Sequence, residues 1–167
     1  MFDIQMLETV VSDQAELFAS KPLGVPRLVD FEKYLATKHI VVISGVRRSG
    51  KSTLLVQFSR KLQPFHFITF DDERLLDFSV QDFQSLLLVL KKRSAARIIF
   101  LDEVQNVAGW ERFVRRLHDE EYKVFVTGSN AKLLGGELST HLTGRYFKIE
   151  LFPFSFSISL ILSNLSM

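Results

Sequence analysis

Gly45-Val46-Arg47-Arg48-Ser49-Gly50-Lys51-Ser52 follows the apolar run His39-Ile40-Val41-Val42-Ile43-Ser44 and precedes a segment of helical spacing. The octapeptide fits G-x-x-x-x-G-K-[ST] in the strand–loop–helix setting that gives this pattern its meaning. Gly45 and Gly50 permit backbone angles and a close approach that a Cβ would block. Successive N–H groups of Val46, Arg47, Arg48, Ser49 and Gly50 then line a concave nest, and the helix behind it turns its positive end toward an anion. Lys51 is expected to reach the β- and γ-phosphates as a point charge. Ser52 is expected to place its hydroxyl on magnesium, with Thr53 near the α-phosphate. The ligand this stretch predicts is a nucleoside triphosphate with Mg2+.

Working outward, helices and short apolar runs alternate. Helical spacing is read over Ile4 to Ala19, about Leu28 to Thr37, Lys51 to Leu62, Val80 to Lys92, Trp110 to Asp119 and Ala131 to Leu138. Strands are read over His39 to Ser44, Phe65 to Phe70, Arg97 to Asp102, Lys123 to Thr127 and Arg145 to Leu151. The proline- and glycine-bearing stretch Lys21 to Pro26 divides the first helix from the second. Strand-length apolar runs separated by helices predict an α/β domain whose parallel sheet is covered on both faces.

Ile98-Ile99-Phe100-Leu101 runs into paired acids, Asp102 and Glu103. Behind a phosphate loop, an acid at such a strand end suits the metal, and its neighbour can orient or deprotonate the attacking water. Asp102 takes the first role in this reading and Glu103 the second. The next strand ends Val126-Thr127-Gly128-Ser129-Asn130, which makes Ser129 and Asn130 the candidates for contact with the γ-phosphate or water; spacing does not choose between them. A guanine-specific protein would carry N-K-x-D after a late strand, and Asn130-Ala131-Lys132-Leu133 fails that pattern. ATP is therefore the expected nucleotide.

Taken together, the loop with its two arginines, Phe100-Leu101-Asp102-Glu103-Val104-Gln105, Thr127-Gly128-Ser129-Asn130, Leu142-Thr143-Gly144-Arg145-Tyr146 and Leu151-Phe152-Pro153-Phe154-Ser155 resemble the AAA-type ATPase domain of prokaryotic ATPase/DUF4143 proteins. The resemblance covers about Arg27 to Phe156. It implies a P-loop NTPase fold of the ASCE division with sheet order 5-1-4-3-2, ATP as ligand, and Asp102 and Glu103 as the Walker B pair. Arg145 corresponds to an arginine before the last strand, a charge-stabilising group in cis or from a neighbouring subunit, or simply a solvated residue at a strand start. In relatives the Leu-Phe-Pro-Phe-Ser-Phe run leads into a helix and a long C-terminal region. Here Ser157 to Met167 takes a different course, so the reading is residues 1–26 as helix and linker, 27–156 as ATPase domain and 157–167 as an atypical tail. The lid and C-terminal domain are expected to be missing, with turnover impaired.

Composition narrows the remaining classes. The 167 residues suffice for one cored domain. The absence of cysteine excludes disulfides and thiolate metal sites. The net charge of +2 is too small to argue for nucleic acid, and the basic clusters Lys91-Lys92-Arg93 and Arg112, Arg115 and Arg116 read as solvated helix faces. The N-terminus lacks a basic n-region, and the serine-interrupted tail falls short of the ~20 apolar residues that span a bilayer. No membrane role and a cytoplasmic setting are expected, with a protein partner or self-association open. Two rivals stand beside ATP hydrolysis: a nucleotide-binding interaction module with little turnover, and a small-molecule kinase sharing the same loop.

Overall fold

The computed structural model describes residues 2–129, 133 and 142–153. The elements in chain order are helix α1 (Ile4–Ser20), helix α2 (Phe31–Ala36), strand β1 (Ile40–Gly45), helix α3 (Lys51–Ser59), strand β2 (His66–Thr69), helix α4 (Phe83–Arg93), strand β3 (Ile98–Asp102), helix α5 (Trp110–Asp119), strand β4 (Lys123–Ser129) and strand β5 (Tyr146–Leu151). The strands form one parallel sheet in the order β2-β3-β4-β1-β5, the predicted 5-1-4-3-2 arrangement.

The apolar strands alternate sides because successive side chains point to opposite faces. Ile40, Val42, Ile99, Leu101, Val124 and Val126 face one core with α4 and α5. Val41, Ile43, Phe100, Phe125, Ile149 and Leu151 face the other with α3. In this second core Phe67, Phe100 and Phe125 lie in register across β2, β3 and β4. Phe100 stacks on Phe125 with centroids 4.9 Å apart, and Phe18 of α1 stacks on Phe67 at 3.9 Å. Such offset rings add specificity to what area burial already provides.

Helix α1 starts at Asp3, whose carboxylate accepts from the Met6 N–H at 2.8 Å. It wraps the β2 edge, sending Leu7, Val10 and Val11 into one core and Phe18 into the other. Its Gln14 treats that edge as another strand would. The amide donates to Thr69 O at 3.1 Å and accepts from Thr69 N–H at 2.8 Å. An edge that would otherwise offer unpaired backbone groups is closed at that point.

Some boundaries differ from expectation. The second helix begins only at Phe31, where Asp30 accepts from the Lys33 N–H, and the third ends at Ser59 rather than Leu62. The fourth is preceded by a separate tight turn, Val80–Asp82, fixed by reciprocal hydrogen bonding between Ser79 and Asp82. The predicted helix Ala131 to Leu138, apart from Leu133, and the tail 157–167 lie outside the described residues.

Candidate functional site

The phosphate loop connects β1 to α3 at the carboxyl ends of the strands. Gly45 is packed so closely that a Cβ would collide with Ser49 Oγ and stand 2.6 Å from Leu151 O. Gly50 adopts φ 90° and opens α3 without a side-chain cap, leaving the first-turn N–H groups for an anion. Arg48 also takes a left-handed φ of 64°. Val46, Arg47 and Arg48 are exposed at the mouth, Ser49 is buried, and Ser52 and Thr53 are half-buried.

Two side-chain pairs cross from the loop helix to the end of β3. Ser52 Oγ lies 3.1 Å from both Asp102 carboxylate oxygens. Lys51 Nζ lies 3.5 Å from Glu103 Oε1 and donates to Gly45 O and Val46 O at 3.3 and 3.2 Å. Lys51 is only 5% exposed, so its charge is committed to the cleft. A hollow of about 280 Å³ is bounded by Arg47, Arg48, Gly50, Lys51, Ser52 and Thr53, with Glu103 opposite.

Strand β4 lies between β1 and β3 and supplies the joint between them. Thr127 Oγ1 donates to Asp102 Oδ1 at 2.5 Å and accepts from the Glu103 N–H at 2.9 Å. This hydroxyl holds both acids, Glu103 in a left-handed backbone conformation with φ 50°. Burial pushes the Asp102 carboxyl above its ordinary range, the neighbouring Glu103 charge adds to that, and the Thr127 and Ser52 hydrogen bonds oppose it. A buried carboxylate beside a serine hydroxyl is an oxygen donor pair suited to Mg2+, which keeps most of its waters and takes few protein ligands. Among the described residues no group of three His, Cys, Asp or Glu side chains converges as a metal cage.

The remaining candidates divide. Ser129 is paired in register with Gly45, at the rim of the cleft. Asn130 lies outside the described residues. Arg145 is at the other end of the sheet: its carbonyl accepts from Ile40 N–H, at the start of β1, and its guanidinium donates to Asp119 Oδ1 at 2.8 Å. A strand the length of β1 covers about 20 Å, so Arg145 does not reach the cleft of its own chain. The basic helix faces are engaged locally: Lys91 with Glu120, Lys92 with Glu8, Arg115 with Asp119 and Arg116 with Gln84.

Two residues of the site are assigned no role from the sequence. Thr127 is the first polar residue after the apolar run Val124-Phe125-Val126, a signal visible in sequence only once the strand is known to border the acids. Arg27, from the linker, donates to Ser49 O at 2.5 Å and to Phe152 O at 3.0 Å, and its Nη2 lies 2.8 Å from where a Gly50 Cβ would stand.

Residues 37–160 match the family model described as an AAA domain. The chain belongs to the AAA domain family. This AAA domain is 38% identical over 167 residues to the uncharacterized protein MJ1544 of Methanocaldococcus jannaschii, covering 98% of the chain and 37% of that protein. An uncharacterized protein of Haemophilus influenzae is 43% identical over 132 residues, which cover 72% of the chain and 32% of that relative. The chain thus spans well under half the length of these curated relatives. A DNA replication initiation factor of known crystal structure shares the fold, with a TM-score of 0.56 over 95% of this chain and 51% of that one at 15% identity. AAA domains are P-loop ATPases, a class that binds nucleotide with Mg2+. Among the described residues no helix of this AAA domain is long and apolar enough to cross a membrane.

Proposed function

We propose that this AAA domain binds ATP with Mg2+ and hydrolyses it. One observation carries the reading: Ser52–Asp102 and Lys51–Glu103 face each other in pairs across a single cleft, at the carboxyl ends of β1 and β3. Two oxygens for a cation, an ammonium for phosphate and a second carboxylate within one side chain's width form a division of labour suited to phosphoryl transfer.

In this reading the N–H groups of the loop and the first turn of α3 cradle the phosphates, and Lys51 exchanges its Gly45 and Val46 carbonyls for β- and γ-oxygens. Ser52 and Asp102 would hold the magnesium, which would supply charge neutralisation for phosphoryl transfer. Glu103 accepts a proton from the attacking water as the new P–O bond forms and the bond to the β–γ bridging oxygen breaks, giving ADP and inorganic phosphate. Ser129, at the rim, and Asn130 are the polar groups proposed to touch the γ-phosphate or water. Thr127 keeps both acids aimed into the cleft throughout.

Phosphate release from ATP tests the reading. The parent is expected to hydrolyse ATP only with Mg2+, Lys51→Ala to lose binding and turnover together, and Glu103→Gln to keep binding while kcat drops by about a hundredfold or more. Undiminished turnover in Glu103→Gln would remove the base role assigned to Glu103. Phosphate appearing on an added acceptor rather than in water would point to a kinase instead.

A further inference from the structure

Glu103 is gripped from two sides, and only one grip belongs to the phosphate machinery. Its Oε1 faces Lys51 at 3.5 Å, while its Oε2 accepts from Gln105 Nε2 at 2.6 Å. A carboxylate can only accept, so the Gln105 amide must turn its NH2 toward Glu103 and its oxygen away. That oxygen is buried without a hydrogen-bond partner and lies over Gly128 of β4. A Cβ at position 128 would collide with it, and would also stand 2.6 Å from Leu133 Cγ. The strand therefore carries a glycine where the amide needs room. The backbone between the two residues is fixed independently: Glu103 N–H is bound to Thr127, Asn106 N–H to Glu103 O at 3.1 Å, and Asn106 Nδ2 to Phe70 O at 3.0 Å.

We propose that Gln105 is a positioning residue for Glu103, holding its carboxylate in place after Lys51 has been drawn away to the phosphates. The inference rests on the reading that Glu103 takes the proton from water. A bond to an ionised acceptor is stronger than a neutral one, whereas an orphaned buried amide oxygen is unfavourable for stability. A side chain retained only for packing would do better without that oxygen. The orphan is tolerated because the opposite end of the same amide fixes the base.

The consequence is an opposition between stability and turnover that a merely structural role would not produce. Gln105→Met keeps the shape and removes the amide. It is expected to melt at or above the parent temperature, to keep KM and the Mg–ATP-induced rise in melting temperature, and to lower kcat by about tenfold or more, the size of effect that misplacing a reacting group produces. Gly128→Ala, which expels the amide from its seat, should lower kcat in the same way; because it also meets Leu133, Gln105→Met carries the test should that variant fail to fold. Turnover in Gln105→Met equal to or faster than the parent would overturn the proposal, and so would a loss confined to KM. A parent no faster than Lys51→Ala is a different failure: it removes hydrolysis itself, and the role of Gln105 with it.

Discussion

Thr127 serves two backbone segments with one hydroxyl, and that economy makes it testable. Thr127→Val preserves shape but removes one of the two hydroxyls that donate to Asp102, leaving only Ser52, and leaves the Glu103 N–H without its acceptor. Leaving buried polar groups unpaired costs about 1–3 kcal/mol, so the melting temperature should fall by several degrees. The Mg–ATP-induced rise should shrink as well, because the carboxylate proposed to hold the cation loses one of its two hydroxyl donors. Thr127→Ser retains the hydroxyl and is expected to recover most of both, which thermal melts with and without Mg–ATP would show. At this scale the sequence was legible where chemistry is local. Gly45 to Ser52 declares itself by its spacing, and the Asp102-Glu103 pair by following an apolar strand behind that loop. Thr127 and Arg27 do not, since their partners lie 22 to 125 residues away and become neighbours only through the sheet.

Among the elements, α1 and the segment after β2 are joined by a polar latch. Asp72 accepts from Arg74 Nε and Nη2 at 3.0 and 2.9 Å and from Gln14 Nε2 at 2.9 Å, and Arg74 also meets Asp13. The hydrogen bonds from Arg74 are the largest cause holding the Asp72 carboxyl down at about 2, against an ordinary 3.8. A folded-state value below the unfolded one stabilises fully above the unfolded value and is lost as pH falls through the folded one. Stability attributable to the latch should thus be intact above about pH 4 and be lost as pH falls through about 2. Asp72→Asn should flatten the dependence of the denaturation midpoint across that window; an unchanged slope would remove Asp72 from it. The same latch explains why α1 was readable as a helix but not as an edge cover. Its apolar periodicity is local, whereas the Gln14–Thr69 pairing spans 55 residues.

The strands were legible for a different reason. Their continuous apolar runs suit only a sheet buried on both faces, and the parallel topology follows from the helices between them. The register of Phe67, Phe100 and Phe125 was not legible, because nothing in a single strand announces its neighbour's offset. It makes Phe100 the midpoint of the second core, with rings on both sides. Phe100→Ala should cost about 3–5 kcal/mol, measurable by urea denaturation with an unchanged m-value.

For the whole molecule, the sheet separates two ends with different work. The carboxyl ends of the strands carry the phosphate loop and the acids; the amino ends carry Arg145 with Asp119. Arg145→Ala is therefore expected to leave turnover of the isolated monomer within about twofold and stability within about 1 kcal/mol, as for an exposed ion pair. A large loss of turnover that appears only when the chain self-associates, followed by sedimentation, would assign the arginine to a neighbour's cleft.

Arg27 binds together three stretches that are far apart along the chain: the linker, the loop at Ser49 and the exit of β5 at Phe152. During synthesis the first two leave the ribosome long before the third. The Arg27 anchor is complete only after residue 152 has emerged and β5 has joined the sheet, so a nascent chain stopped short of that strand is expected to carry every residue of the phosphate motif and still retain ATP less well than the full chain. Nucleotide capture would then act as a timer, marking the moment at which the last strand is delivered.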